Sequence, residues 1–149
     1  GLCCGTAFAA MLGLMVSMTL LGWFPLAVLP AALAGGLMAF LLWNFPPAKL
    51  LPGAVGSLFL AGVLGCVPLS IGWPGLCLPL SLPYWIEGGM VALQVAVWLL
   101  SGRRKQLFST APLHRWLEKR GCGAINIVII FCLLALAGFV LTVQGAKIS

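Results

Sequence analysis

Few side chains in this sequence could do chemistry. There are two acids, Glu87 and Glu118, one histidine, His114, and eight Lys and Arg. Six of those eight, Arg103, Arg104, Lys105, Arg115, Lys119 and Arg120, crowd into RRKQLFSTAPLHRWLEKR at residues 103–120. His114 and Glu118 lie in the same stretch. Point charges and guanidinium forks of this kind bind phosphate. Basic residues beside apolar spans also set orientation in a membrane or grip anionic lipid. His114 could move a proton or bind a diphosphate, or be an ordinary solvated side chain. Glu87 falls in an apolar run, where a buried carboxylate costs about 2.5–3.5 kcal/mol. Gln94 follows seven residues on, so the two share about the same helix face. Such a stripe packs on other helices or lines a site, unless Glu87 simply reaches interfacial water at the outer end of its span.

The elements that must position these groups are membrane elements. The 149 residues are 62% hydrophobic and only 7% charged, against roughly 25% charged in a soluble domain. The net charge of +6 sits in loops beside apolar spans, which argues against a nucleic-acid partner and for membrane lipid. A crossing helix needs about 20 apolar residues, and five candidates are expected: residues 6–24, 31–43 (starting nearer Leu26), 54–72, 84–100 and 124–143. The expected fold is all-α, a polytopic integral membrane protein in one domain covering residues 1–149. Between the spans lie a proline-broken polar loop at residues 44–53, a long apolar loop, GWPGLCLPLSLP, and the basic stretch. Trp23, Trp73, Tyr84 and Trp85 are expected near outer ends of spans, and Trp43, Trp98 and Trp116 near inner ends, as interfacial anchors. Gly35-Gly36, Gly88-Gly89 and GSLFLAG at residues 56–62 read as sites of close helix approach.

Five crossings put Lys49 and all six basic-stretch residues on one face and leave Lys147 on the other. Positive residues stay cytoplasmic. The N-terminus and the basic loop, residues 102–123, are therefore expected inside, and the C-terminus outside. The six cysteines form no CxxC pair, and several fall in apolar runs, so free thiols are expected rather than a disulfide or zinc framework. The chain starts with Gly1 and lacks the basic start of a signal peptide, as a fragment or a processed chain would.

Three blocks in order resemble the phospho-N-acetylmuramoyl-pentapeptide transferase family, membrane enzymes of the polyprenyl-phosphate sugar-1-phosphate transferase superfamily. NFPPAKLLPGAVGSL, residues 44–58, resembles N-x-x-P-A-x-V-F-M-G-D-x-G-S-L. EGGMVALQ, residues 87–94, resembles E-x-x-x-x-x-x-Q. TAPLHRWLEKRG, residues 110–121, resembles the M-A-P-L-H-H-H-F-E-x-x-G end of a basic loop. The start, GLCCGT, more weakly resembles the end of D-G-x-D-G-L-A-x-G. The resemblance implies spans six to ten of a ten-helix fold, a diverged C-terminal half, in the bacterial cytoplasmic membrane. It also implies transfer of phospho-N-acetylmuramoyl-pentapeptide from a uridine nucleotide to undecaprenyl phosphate, giving lipid I for peptidoglycan, with Mg²⁺. By motif position it implies Asn44, Gly53, Ser57, Gln94 and Ala111 as substrate-binding residues and His114 as catalytic.

The departures matter as much. The sequence has no aspartate. Ala54 stands where the family motif has its aspartate, Leu51 where it has an aromatic, and Arg115 and Trp116 where it has further histidines. Mg²⁺ is usually held by one or two carboxylates plus phosphates and waters, so none is expected to be held by this chain alone. Any activity is then expected to need a missing N-terminal half, with a homo-oligomer as another partner. The alternative expectation is a non-catalytic pseudoenzyme or relic that binds polyprenyl phosphate, nucleotide-sugar or a membrane partner.

Overall fold

A computed structural model describes residues 2–45, 47–101 and 113–148. Arg103, Arg104, Lys105 and Ala111 lie outside the described residues. Among the described residues the architecture is all-helical: α1 (Leu2–Leu20), α2 (Phe24–Asn44), α3 (Gly53–Ser70), a 3₁₀ turn (Pro74–Leu76), α4 (Cys77–Leu80), α5 (Leu82–Leu100), α6 (Leu113–Lys119) and α7 (Ala124–Ile148). Four of these helices, α1, α2, α3 and α7, are each long and apolar enough to cross a membrane, and the bent pair Pro74–Leu80 plus Leu82–Leu100 makes a fifth if taken as one span. The chain has the form of a multi-pass membrane protein.

The bundle is built around α1. More than half of α1 is buried, against about a quarter of α2, α3 and α7. Its buried face is rich in small residues, Gly5, Ala7, Ala9, Ala10 and Gly13. Lipid tails are as apolar as leucine, so helix association relies on close backbone approach. A β-carbon on Gly5 would lie 2.8 Å from Val128 Cγ1, and one on Gly13 would lie 2.9 Å from Leu80 Cδ2 and 3.2 Å from Phe139 Cβ. These pairings set α1 and α7 side by side and parallel. Buried hydroxyls are satisfied within their own helices: Ser17 donates to the Gly13 carbonyl (2.8 Å) and Thr142 to the Gly138 carbonyl (2.9 Å), as a site without water requires.

The glycines expected to mediate approach do not do so among the described residues. A β-carbon on Gly35, Gly36, Gly62, Gly88 or Gly89 would meet nothing within 4 Å. Gly35, Gly36, Gly62, Gly88 and Gly89 themselves are exposed. Close approach falls instead to Gly5, Gly13 and Gly138.

The apolar loop after α3 is also not a loop. Its prolines sit where a helix tolerates them: Pro74 opens the 3₁₀ turn, and Pro83 lies in the first turn of α5, where no amide is needed. The fourth span therefore begins near Pro74 rather than at Tyr84. It descends past Gly13 at Leu80 and then bends by 75° into α5. Pro83 is the only buried residue of α5, so this helix leaves the bundle as an arm. The second span starts at Phe24, and Pro30 sits buried inside it. The six cysteines are free, but Cys77 opens α4, where its thiol lies 3.4 Å from the Gly65 carbonyl, rather than in an outer loop.

Candidate functional site

The described residues singled out above fall into two clusters, the first at one end of the bundle. Cys3 Sγ lies 3.6 Å from Ser57 Oγ, which brings the start of α3 to the start of α1. Tyr84, in the first turn of α5, has its hydroxyl 3.1 Å from Thr6 Oγ1. Val128, in the first turns of α7, packs at Gly5. The starts of α1, α3, α5 and α7 thus share one end. Trp23 and Trp73, in the turns after α1 and α3, lie at the opposite end. Tyr84 and Trp85 do not join them: both were expected near an outer end, and both lie at the end that holds Thr6 and Ser57. The bend after Leu80 is the reason, since the descending arm has already spent its length by Tyr84.

The loop between α2 and α3 is folded back on the end of α2. The Lys49 and Leu50 amides donate to the Trp43 carbonyl (2.9 and 3.2 Å). Asn44 Nδ2 donates to the Leu50 carbonyl at 2.6 Å. Asn44 is 1% exposed, and its Oδ1 has no hydrogen-bond partner among the described residues. This asparagine holds the loop, so a direct substrate contact from it would need the loop to open. Lys49 Nζ sits 5.7 Å from the Trp43 ring centroid, a cation–π distance. Gly53 begins α3 with φ +63°, a conformation in which a β-carbon is strained. Ser57 returns its hydroxyl to the Gly53 carbonyl at 2.9 Å. Ala54 lies in that first turn and is exposed. An aspartate there would meet open space and the favourable end of the helix dipole, worth about 0.3–1 kcal/mol.

The second cluster is formed by α5 and α6. On α5, Glu87, Met90, Gln94, Val97 and Trp98 are the half-buried positions beyond the first turn, and their spacing of three and four residues defines one face. Glu87 and Gln94 share it, about 10 Å apart along the helix at 1.5 Å per residue. Glu87 does not end in lipid. Its Oε1 accepts the His114 backbone N–H at 3.1 Å, and His114 Nδ1 lies 3.3 Å from both Oε1 and Oε2. The pair is partly covered, His114 at 31% and Glu87 at 19% side-chain exposure. Helix α6 turns Leu113, His114, Trp116 and Leu117 inward and leaves Arg115, Glu118 and Lys119 exposed. Arg120 follows, its guanidinium 4.1 Å from the Trp116 ring centroid. The Glu87–His114 pair was not legible from spacing, because the partners are 27 residues apart in sequence and sit on different helices. The scarcity of acids and histidines was the signal available.

Between α1, α3 and the α4–α5 bend lies a cavity of about 430 Å³, mostly apolar, with Cys3, Ser57, Ser81 and Tyr84 among its polar-tipped lining. Ser57, Tyr84 and Trp85 all line this cavity. The donors present do not fit Mg²⁺ by themselves. That cation wants an octahedron of oxygens anchored by carboxylate. Glu87 is engaged by His114, Glu118 is exposed on the far face of α6, and Ala54 offers a methyl group. No three His, Cys, Asp or Glu side chains cluster among the described residues.

The family model for glycosyl transferase family 4 matches residues 1–72. A phospho-N-acetylmuramoyl-pentapeptide-transferase of Clostridium perfringens (strain 13 / Type A) is 38% identical over 124 residues, 78% of this chain and 38% of the relative. One from Clostridium kluyveri is 37% identical over 123 residues, 80% of this chain and 38% of the relative. One from Acetivibrio thermocellus is 33% identical over 129 residues, 84% of this chain and 38% of the relative. The chain therefore spans under two fifths of the length of these relatives. The chain thus carries a match to glycosyl transferase family 4 over residues 1–72 and is similar over most of its length to the phospho-N-acetylmuramoyl-pentapeptide-transferases.

Proposed function

We propose that these residues form the part of a membrane phosphoglycosyl transferase that presents His114 and the Asn44–Ser57 segment to a nucleotide-linked sugar and undecaprenyl phosphate. They do not complete the transfer alone. The reaction would move phospho-N-acetylmuramoyl-pentapeptide from its uridine diphosphate carrier to the lipid phosphate. The chemistry of such a step is mostly positioning and neutralisation of oxygen charge. Basic residues of α6 and Lys49 are suited to drawing phosphate to this end of the bundle, and the apolar helices to a lipid partner. What is missing is carboxylate. Ala54, exposed in the first turn of α3 beside Ser57, is the observation that carries this reading. Aspartates would have to come from another segment or another chain.

The test is complementation. The chain is co-expressed with the N-terminal part of the Clostridium perfringens relative that lies outside the matched segment, and lipid I is measured. Ala54→Asp is expected to raise turnover, and by up to 10²–10³-fold if one key electrostatic contact is restored. Equal turnover of both forms would overturn the reading. A second reading is favoured by Ala54 itself and by the apolar cavity: the chain binds a polyprenyl phosphate, a nucleotide-sugar or a membrane partner without turning it over.

The proposed setting is the bacterial inner membrane. The end that holds the starts of α1, α3 and α7 faces the cytoplasm, because Lys49, Arg115, Lys119 and Arg120 lie toward it. Cys77 is a poor probe of this orientation, since it is packed in α4. Gly75 is open and exposed. In intact cells carrying single-cysteine variants, a membrane-impermeant thiol reagent is expected to label Gly75→Cys and to spare Cys122. Outside labelling of Cys122 would contradict the orientation.

A further inference from the structure

We propose that Glu87 is a positioning residue for His114, fixing both the ring orientation and the tautomer so that Nε2 is the nitrogen presented for chemistry. The argument is one of donors and acceptors. An ionised carboxylate can only accept hydrogen bonds. Its two oxygens stand 3.3 Å from Nδ1, and Oε1 also takes the His114 backbone N–H at 3.1 Å. A neutral ring in this place must therefore carry its proton on Nδ1, which leaves Nε2 with its lone pair. Two bonds from one carboxylate, to the backbone and to the ring of the same residue, restrain the ring's rotation as well as its position.

The geometry also explains why an acid is kept in so apolar a helix. Placing it there is costly, and the cost is offset when the carboxylate is hydrogen-bonded. An amide in its place could present a donor as well as an acceptor to the ring, and so would not fix the tautomer. When Nε2 accepts a proton, the imidazolium that forms stays paired with Glu87. When Nε2 instead accepts a hydrogen bond, Nδ1–H remains held. The partner of Nε2 is a proton-bearing group of the substrate or, once Nε2 is protonated, a phosphate oxygen, and only this clause rests on the transferase reading. The tautomer does not depend on it.

His114 is the only histidine in the chain, so ¹⁵N-histidine labelling gives one imidazole in the spectrum. With the full 149-residue chain in lipid nanodiscs at alkaline pH, the ¹⁵N shifts are expected to report the Nδ1–H form as the majority. Glu87→Ala is expected to return the ring to the Nε2–H form that an unconstrained histidine side chain prefers. Glu87→Asp, which keeps the charge but shortens the reach, is expected to give a mixture. A majority of Nε2–H in the unsubstituted chain would overturn the proposal whether or not the variants fold. An unchanged ratio in a folded Glu87→Ala would do the same. In the complemented Ala54→Asp protein, Glu87→Ala and His114→Ala are expected to be non-additive, the double variant losing no more turnover than His114→Ala alone. If the tautomer result holds while complementation fails, the transferase reading falls and the positioning role stands.

Discussion

Replacing Gly138 with alanine is expected to loosen the bundle, against the usual sign of that substitution. In a helix interior, Gly→Ala ordinarily gains up to about 1 kcal/mol through backbone entropy and propensity. At Gly138 in α7 the added β-carbon would overlap the Pro79 carbonyl oxygen and press on its carbon. That obstacle is backbone, which cannot rotate away as a side-chain tip would. Overpacking costs about 1–3 kcal/mol, so the clash outweighs the gain. Relief requires α4 to lift from α7, and α4 carries the chain from the far end of the bundle to Tyr84 and Glu87. The cost is therefore expected to appear both as a lower melting temperature in detergent and as weaker order at the Glu87–His114 pair. Gly36→Ala is the control. It meets nothing within 4 Å and is expected to be neutral or slightly stabilising. Equal melting temperatures for Gly138→Ala and the parent chain would show that α4 and α7 do not pack as described.

This contrast also marks what the amino-acid sequence could and could not convey. Apolar runs of the right length located α1, α2, α3 and α7 to within a few residues, because a membrane solvent leaves few other uses for such runs. Glu87 and Gln94 could be placed on one face because seven residues is nearly two helical turns. The segment 74–82 was misread because its prolines resemble those of a loop. They are legal in a 3₁₀ turn and in first turns of short helices, and only the packing of α4 on α7 shows that arrangement. Glycine pairs suggested tight helix contacts at the wrong places for a related reason. A pair such as Gly35-Gly36 announces small volume, while the face it occupies is decided by neighbours. Lone glycines at 5, 13 and 138 carried the contacts. Asn44 was singled out as a substrate ligand by its motif position, yet its side chain is used to hold the loop.

The second large effect concerns the reaction itself. The donors that this chain brings to the end of the bundle are one carboxylate, Glu87, already bonded twice to His114, and an exposed Glu118. A diphosphate undergoing transfer spreads negative charge over its oxygens, and a cation held by carboxylates is the usual means of neutralising it. Removing one such electrostatic contact costs about 3–4 kcal/mol, or 10²–10³ in rate. Removing several that act as a unit is not additive, but it leaves little. Lys49 and the basic residues of α6 can attract phosphate by charge. They cannot also hold a metal ion, because ammonium and guanidinium groups have no lone pair to offer. Binding without turnover is the expected state of the isolated chain, and neither Leu51 nor Arg115 supplies the missing oxygen ligands.

The most direct measurement is transfer by the purified 149-residue chain alone. It is reconstituted in vesicles containing undecaprenyl phosphate and given labelled uridine-diphospho-muramoyl-pentapeptide with Mg²⁺. A full-length Clostridium perfringens relative serves as the positive control. The account predicts that labelled lipid I stays at background for the chain while the relative accumulates it. Accumulation by the unaltered chain at a rate comparable to the relative's would contradict it, because Ala54 would then stand at a position where no carboxylate is needed.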